Sequence, residues 1–181
     1  MRLGRRQTTD DGRPAPSDSP EYVLCLVSCS LKPNNVPDLT PVLALLAETR
    51  SLSLATLDPD GRPRATPLFF AFDDQACLFF LSERETQHCR NLSRDSSAAA
   101  SLYPEVADWH EIRGLQIRGF ASVVPASERE PALALYTTRF PFAGELGGIV
   151  SLSEIYCLHP TWVRLIDNRQ GFGYKREWNL P

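Results

Sequence analysis

The stretch from Leu52 to Asp95 constrains the fold most, because it holds three strand-like runs joined by tight turns and followed by a helix-like segment. In the first run, Leu52, Leu54 and Thr56 alternate with small residues, as a strand with one buried face requires. The tetrapeptide Asp58-Pro59-Asp60-Gly61 then supplies turn residues, and its glycine can take a positive φ. The pattern predicts a hairpin of antiparallel strands.

The second and third runs continue this meander into a helix. The second run contains the dense apolar sequence LFFAF, Asp73-Asp74 provides a turn, and the third run extends from Cys77 to Leu81. Ser82 and Glu85 fit the capping box S-x-x-E, which predicts a helix that begins around Glu83 and runs through Leu92.

The start of this predicted helix is a candidate anion site. Its first backbone N–H groups and the positive end of the helix dipole favour a phosphate, and Thr86, Gln87 and His88 can add side-chain donors. The alternative interpretation of the same spacing is an ordinary capped surface helix.

The rest of the chain indicates a mainly β protein with a few helices. Thr40 as N-cap with Pro41 predicts a helix that ends near Arg50, and Ser127 with Glu130 predicts another. Short strands and tight turns predict an antiparallel barrel rather than a parallel sheet. The further strand-like segments are Ser97–Leu102, Leu115–Val123, Glu154–Leu158, Trp162–Ile166 and Tyr174–Trp178.

Composition limits the number of domains and the partners. The 181 residues are 43% hydrophobic, which suits one globular domain whose core needs no disulfide or metal. The net charge is −3 and Lys and Arg are spread along the chain, so we expect no nucleic-acid partner. The five cysteines form no C-x-x-C pair, which favours reduced thiols in a cytoplasmic protein.

Residues 1–37 differ in composition from the domain predicted over residues 38–181. They are rich in Pro, Asp, Ser, Arg and Gly, which predicts a disordered or weakly ordered tail. Their apolar segment Tyr22–Leu31 is too short to span a bilayer, and acidic residues interrupt the basic residues before it, which disfavours a signal peptide. We therefore expect no membrane partner.

Histidine and cysteine spacing gives no sign of a metal centre. His88, His110 and His159 lie far apart, and no H-x-H, H-E-x-x-H or Cys/His ligand pattern occurs, so we expect no metal. Cys77 and Cys157 lie within strand-like runs and are predicted to be small core residues.

Several segments resemble a known group of proteins. The order of elements and the sequences ATLDPDGRPRATPLFF, LFFLS and TQHCRNLSRD resemble the pyridoxamine 5'-phosphate oxidase-like FMN-binding split-barrel superfamily. EIRGLQIRGFA, YTTRFPFA and RLIDNRQGFGYK resemble one bacterial branch of it. The resemblance implies a six-stranded antiparallel split barrel with flanking helices, and a homodimer with FMN near the interface.

Carried over residue by residue, the resemblance implies cofactor contacts on the second strand, the third strand and the following helix. They fall on Arg64, Ala65, Thr66, Pro67, Leu81, Ser82, Thr86, Gln87 and His88.

Some positions depart from the oxidase. Gln87-His88 replaces an Arg-Lys pair for the FMN phosphate, and Thr66 and Ala71 replace an Arg and a Lys. A charge-assisted hydrogen bond contributes about 1.5–3 kcal/mol, so two uncompensated losses would weaken FMN binding by on the order of 100-fold or more. The missing cations also argue against pyridoxamine phosphate as substrate. The cations that can compensate, as a hypothesis, are Arg64, Arg84 and Arg113.

The C-terminal motif DNxxGFGxK (residues 167–175) has two interpretations. In one, Asp167 and Asn168 bond the local backbone of a glycine-rich hairpin loop. In the other, Gly171 to Gly173 approach the flavin or its phosphate and Lys175 adds charge.

The resemblance therefore implies an FMN-dependent oxidoreductase acting on a small molecule, other than pyridoxamine phosphate oxidase itself. In such enzymes the flavin performs the hydride chemistry, so the sequence identifies no catalytic residue. The alternative is a non-catalytic module that binds flavin, deazaflavin or haem.

Overall fold

The structure is a computed structural model that describes residues 37–145 and 153–181, so the predicted tail lies outside it except for Pro37. Within these ranges, the strands are β1 (Ser51–Leu57), β2 (Pro63–Phe69), β3 (Ala71–Phe72), β4 (Leu78–Ser82), β5 (Ser97–Leu102), β6 (Arg113–Val123), β7 (Glu154–Asp167) and β8 (Lys175–Asn179). The helices are α1 (Thr40–Glu48), α2 (Gln87–Arg94), α3 (Arg129–Arg139) and α4 (Phe142–Glu145), with short 3-10 helices at Trp109–Glu111 and Asn168–Gln170. None of the helices described is long and apolar enough to cross a membrane.

The strands form one antiparallel sheet in the order β2-β1-β5-β6-β7-β4-β3, and β8 pairs with β7. The first half of β7 pairs with β4 and its second half pairs with β8. This is the mainly antiparallel split barrel that the sequence predicts. The described residues form eight strands rather than six, because Ala71–Phe72 is a separate short strand and β8 extends the sheet. Glu154–Leu158 and Trp162–Ile166, predicted as two strands, are halves of one.

The two faces of β4 border different apolar clusters. Leu78 and Phe80 point into the main core, which α1 and α2 cover. Phe79 lies in a second cluster with Tyr136 and Phe140 of the α3 region. Successive side chains of a strand alternate between faces, so β4 separates the α2 side of the molecule from the α3 side.

A β-bulge brings β6 and β7 unusually close. The pairing shifts between Arg118 and Gly119, with Arg118 opposite Trp162 and Gly119 opposite Pro160. A Cβ at Gly119 would lie 1.9 Å from the backbone oxygen of His159. Only glycine fits there without a backbone shift, and the bulge sets the position of His159.

The helices begin at different residues from those predicted. Thr86 is the N-cap of α2, Glu128 of α3 and Leu39 of α1, and no side chain caps any of the three. The predicted capping box of α2 does not form because Ser82 is still part of β4.

Candidate functional site at the start of α2

Three polar side chains converge where β4 ends and α2 begins. Ser82 Oγ lies 2.8 Å from His88 Nε2 and 3.2 Å from Thr86 Oγ1, and Thr86 Oγ1 lies 3.3 Å from His88 Nε2. Ser82 and Thr86 are half-buried, whereas His88 is buried. We call these three residues the α2-start cluster. The structure thus brings together three of the predicted cofactor contacts.

A short turn between β4 and α2 creates this convergence. The backbone N–H of Thr86 donates to the carbonyl of Glu83 over 3.1 Å, and the Thr86 hydroxyl donates to the same oxygen over 2.9 Å. The chain therefore folds back, and Thr86 faces Ser82. The Thr86 side chain makes no capping hydrogen bond to the first turn of α2.

The first turn of α2 is consequently available to an anion. Its leading N–H groups, including those of Gln87 and His88, have no intrahelical acceptor, and the helix dipole makes this end positive. Backbone N–H groups together with two hydroxyls and an imidazole can hold a phosphate by hydrogen bonds.

A buried thiol lies next to the α2-start cluster. Burial raises the pKa of the Cys89 thiol, but hydrogen bonds with His88, Thr86, Tyr156 and Ser82 outweigh burial and lower the pKa to about 7. Burial, followed by the nearby Cys89, raises the pKa of Tyr156. Cys89 is only 2% exposed, so it contributes to the polarity of the site rather than acting as an accessible nucleophile.

A series of hydrogen bonds runs along α2 from Gln87, which lies next to the α2-start cluster in sequence, to β2. Gln87 Nε2 donates to Asn91 Oδ1 over 2.9 Å, and Asn91 Nδ2 donates to Asp58 Oδ1 over 2.8 Å and to Thr56 Oγ1 over 3.1 Å. Arg64 completes the line with hydrogen bonds of 2.8–3.1 Å to both carboxylate oxygens of Asp58. Hydrogen bonds from Arg64, then from Asn91, lower the pKa of Asp58 to about 2.

The sequence analysis missed Asp58 and Asn91 as parts of the site. Asp58 was assigned only to a turn, which it does form, since it accepts the backbone N–H of Gly61 at 2.8 Å. Asn91 follows Gln87 by one helical turn, and that spacing was the available signal.

The pleat of β2 separates the four predicted contacts on that strand. Arg64 and Thr66 lie opposite Thr56 and Leu54 of β1, whose side chains are buried on the α2 side. Ala65 and Pro67 point to the outer face. Likewise, Leu81 packs on the α3 side of β4, whereas Ser82 joins the α2 side.

The outer face carries a pocket of about 560 Å³. Small residues of three strands, Ala55, Ala99 and Gly119, contribute to its lining, together with the aromatic residues Phe120 and Trp162. Pro63 is the residue of β2 that lines this pocket, and Ala65 pairs with the lining residue Ala55. Arg118 also lines the pocket, so its size and its mainly apolar lining suit a planar ring beside one cation.

The cations expected to compensate are already paired. Arg64 contacts Asp58, Arg84 donates to Glu154 over 2.9 Å, and Arg113 donates to Glu48 over 2.8 Å. These are partly exposed pairs that a phosphate could replace at modest cost. Within residues 37–145 and 153–181, exposed Lys175 forms no ion pair.

Arg113 and Lys175 lie far from the α2-start cluster in one chain. Arg113 pairs with Asp167 and Lys175 with Ile166, whereas Ser82 pairs with Glu154. These positions are at opposite ends of β7, roughly 40 Å apart along the strand at about 3.3 Å per residue. One copy of the chain therefore does not bring all the predicted contacts together.

The C-terminal motif forms the predicted hairpin loop. Asp167 accepts the backbone N–H of Arg169 at 3.2 Å, and Asn168 accepts that of Gly173 at 3.1 Å. Gly171 and Gly173 have φ values of 129° and 74°, which favour glycine. The local structural interpretation of the motif is confirmed, and its contact with a flavin remains a prediction.

Comparison with known proteins gives a family match. A family model described as pyridoxamine 5'-phosphate oxidase matches residues 39–167. A UPF0306 protein from Serratia proteamaculans (strain 568) is 31% identical over 111 residues, which are 61% of this chain and 74% of that protein.

Solved structures share the fold. A heme binding protein from Mycobacterium smegmatis superposes with a TM-score of 0.66 and 19% identity, over 80% of this chain and 59% of that chain. This chain thus spans about three fifths of that protein. A FAD-binding protein from Mesorhizobium loti superposes with a TM-score of 0.58 and 12% identity, over 71% of this chain and 92% of that chain.

Proposed function

The chain belongs to the pyridoxamine 5'-phosphate oxidase family, and on that premise we propose that it binds FMN and acts as an oxidoreductase on a small molecule. In this proposal Ser82, Thr86 and His88 at the start of α2 would hold the FMN phosphate, and the residues of β2 and of the outer pocket would hold the ring. The bound flavin supplies hydride transfer, while the protein binds and orients the cofactor and substrate.

The α2-start cluster carries this proposal. Ser82, Thr86 and His88 offer polar atoms within 2.8–3.3 Å of one another, beside the uncapped first turn of α2. The site is half-buried, where hydrogen bonds to a phosphate are stronger than in open water. A phosphate would replace the mutual hydrogen bonds of the cluster, and the bond that the Thr86 hydroxyl now donates to the Glu83 carbonyl, with charge-assisted ones.

The substrate in this proposal carries no phosphate. Arg64 and Arg84 are engaged with Asp58 and Glu154, and a second phosphate needs a cation cluster of its own. The outer pocket is lined mainly by aromatic and small side chains with one cation, Arg118, so it suits a flat, largely apolar substrate better than one that needs a cluster of cations.

A homodimer is part of the same proposal. Lys175 lies at the far end of β7 from Ser82, so a second copy is needed to bring it near the phosphate. The surface beside Lys175 is apolar for an exposed region: Phe172 is 86% exposed, and it contacts Trp109 edge-on at 5.5 Å between ring centroids. Exposed aromatic groups of this kind are enriched at interfaces.

Equilibrium dialysis with FMN tests the proposal. We expect the full chain to retain about one FMN per chain, and Thr86→Val to bind roughly ten- to a hundredfold more weakly because a charge-assisted hydrogen bond is lost. Thr137→Val on α3, which removes a hydroxyl that likewise donates to a backbone carbonyl, is the matched control and should bind as wild type. The proposal is contradicted if Thr86→Val and Thr137→Val bind FMN with equal affinity, or if the wild-type chain binds no FMN.

Reduction of the bound flavin separates an enzyme from a binding module. We expect NAD(P)H to bleach the flavin absorption, and a small-molecule acceptor to restore it. Flavin that stays bound and oxidised favours the non-catalytic alternative. If the purified protein shows the absorption spectrum of a deazaflavin, then deazaflavin and not FMN is its cofactor.

Haem binding is the second candidate, and His110 is the observation that favours it. His110 Nδ1 lies 2.6 Å from Asp108 Oδ1, which leaves Nε2 of this exposed ring as its nitrogen for coordination. A carboxylate at one imidazole nitrogen orients the other for metal coordination. This candidate predicts a Soret band on adding haemin that His110→Ala removes, and a wild-type protein without that band excludes it.

A further inference from the structure

Two thiols and an imidazole converge at the other end of β4 from Ser82. Cys77 Sγ lies 3.5 Å from His159 Nδ1, Cys157 Sγ lies 3.9 Å from the same nitrogen, and all three atoms lie within 4.8 Å of one another. We call Cys77, Cys157 and His159 the thiol–imidazole cluster. Cys157 is buried, and the other two residues are half-buried.

Strand pairing produces this convergence. Leu78 pairs with Leu158 and Phe79 with Cys157, so Cys77, which immediately precedes β4, lies across from His159. Cys157 and His159 are two residues apart on β7 and therefore share a face. This is the α3 side of β4, so the cluster lies on the opposite face from Ser82 and about 17 Å away along the strand.

Backbone constraints hold both partners of the closest contact. Ala76 has a φ of 61°, the only positive value of a non-glycine residue in the part of the chain that the structure describes. It leads directly into Cys77, whose N–H donates to the Asp73 carboxylate over 2.9 Å. His159 is held on the other side by the close approach of Gly119. The cluster is thus positioned by the fold rather than by flexible side chains.

The separations match the needs of a tetrahedral metal ion. With metal–sulfur bonds of about 2.3 Å and metal–nitrogen bonds of about 2.05 Å, tetrahedral angles place sulfur about 3.6 Å from nitrogen and about 3.8 Å from a second sulfur. The observed sulfur–nitrogen distances are 3.5 Å and 3.9 Å. Small side-chain movements therefore suffice to close the cluster around an ion.

The ligand chemistry identifies the ion. Thiolate and imidazole ligands prefer zinc and other thiophilic ions to magnesium or calcium. Two thiolates cancel the charge of a divalent cation, which suits a site where one ligand is buried beside Phe79 and Ile155. We propose that Cys77, Cys157 and His159 bind one Zn²⁺ ion, with water at the fourth position. The ion clamps the turn before β4 to β7.

Co²⁺ titration of the zinc-free full chain under reducing conditions tests this site. We expect one equivalent to bind with the thiolate-to-metal absorption of a tetrahedral complex, and Zn²⁺ to displace it. Cys77→Ser should weaken binding by more than about 100-fold, beyond the loss typical of changes around the ligands. Cys89→Ser is the matched control and should bind as wild type.

The two N-terminal cysteines need their own control. Cys25→Ser/Cys29→Ser should keep the Co²⁺ spectrum, and its loss in that variant overturns the proposal. X-ray absorption of the wild-type zinc form gives a readout independent of variant folding: we expect two sulfur neighbours at about 2.3 Å. A shell of only nitrogen and oxygen, or no binding under reductant, also overturns it.

Discussion

The two ends of β4 carry polar groups that are assembled in different ways. At the Ser82 end, the α2-start cluster comes from seven consecutive positions, and one turn of chain brings its members within 2.8–3.3 Å. At the other end, Cys77 meets His159 across 82 positions of sequence, and a strained residue and a bulge fix the two backbones. The first site depends on local conformation, and the second depends on strand register.

Gly119→Ala should cause the greatest loss of stability, because it disturbs the pairing of β6 with β7 that positions His159. Gly119→Ala places a Cβ 1.9 Å from the His159 oxygen and 2.8 Å from its carbonyl carbon. Because the backbones must move apart, we expect the free energy of unfolding to fall by roughly 3 kcal/mol, the upper part of the range for overpacking. Urea unfolding measures this loss. Gly144→Ala, where no atom lies within 4 Å of the added Cβ, is the control and should change stability little. Equal stability of the two variants would show that β6 and β7 adjust freely.

The next effect concerns the hydrogen bonds along α2. Asn91 is 1% exposed and donates to Thr56 and Asp58. Asn91→Ala leaves those acceptors without their buried donor, so we expect a loss of about 2 kcal/mol in the free energy of unfolding. Ser93→Ala, on the exposed side of the same helix, should stay within about 0.5 kcal/mol of wild type. An Asn91→Ala variant as stable as Ser93→Ala contradicts the assigned role.

Acid titration gives a third comparison within the α2 region. Hydrogen bonds from Arg64 and Asn91 lower the pKa of Asp58 to about 2 from an ordinary 3.8. Between these values the unfolded chain binds more protons, so the stabilisation from Asp58 is complete above pH 3.8 and is lost as pH falls through about 2. We expect the stability of Asp58→Asn to fall less with acid than that of wild type, as measured by urea unfolding from pH 5 to 2.

Arg64→Gln should raise the pKa of Asp58 in an NMR titration, and an unchanged pKa would mean that Arg64 is not its main partner.

The smallest expected effect is that of Arg64 at neutral pH. Its side chain is 47% exposed, so its ion pair with Asp58 competes with water and salt. Arg64→Ala should lower the free energy of unfolding less than Asn91→Ala does, and less still at high salt. A larger, salt-independent loss would show that Arg64, Asp58 and Asn91 act as one buried unit.

The sequence predicts the Ser82 end better than the Cys77 end for physical reasons. Alternation and turn residues locate β1, β5 and the hairpin at Gly61, and they place Thr86 and His88 near the end of β4. The predicted first residue of α2 was wrong because Ser82 remains in β4 and contacts His88 instead of capping the helix. The Cys77–His159 contact follows from strand pairing, which no local pattern encodes. The spacing Cys157-x-His159 places only those two residues on one face of a strand and does not identify Cys77 as their neighbour.

Strand pairing was also needed to predict which residues of β2 share a face, and to predict that Lys175 lies far from Ser82. A list of consecutive positions such as Arg64, Ala65, Thr66 and Pro67 suggests one surface, yet only Arg64 and Thr66 face α2. Arg113 and Lys175 lie near the far end of β7 because β6 and β8 pair there.

A crystal structure of the full chain grown with FMN tests whether the start of α2 holds the phosphate. We predict the FMN phosphate within hydrogen-bond distance of Ser82, Thr86 and the backbone N–H groups that open α2. Lys175 of a second copy should be the nearest cation from outside the chain. A phosphate bound elsewhere, with the α2-start cluster still bonded to itself, contradicts the account.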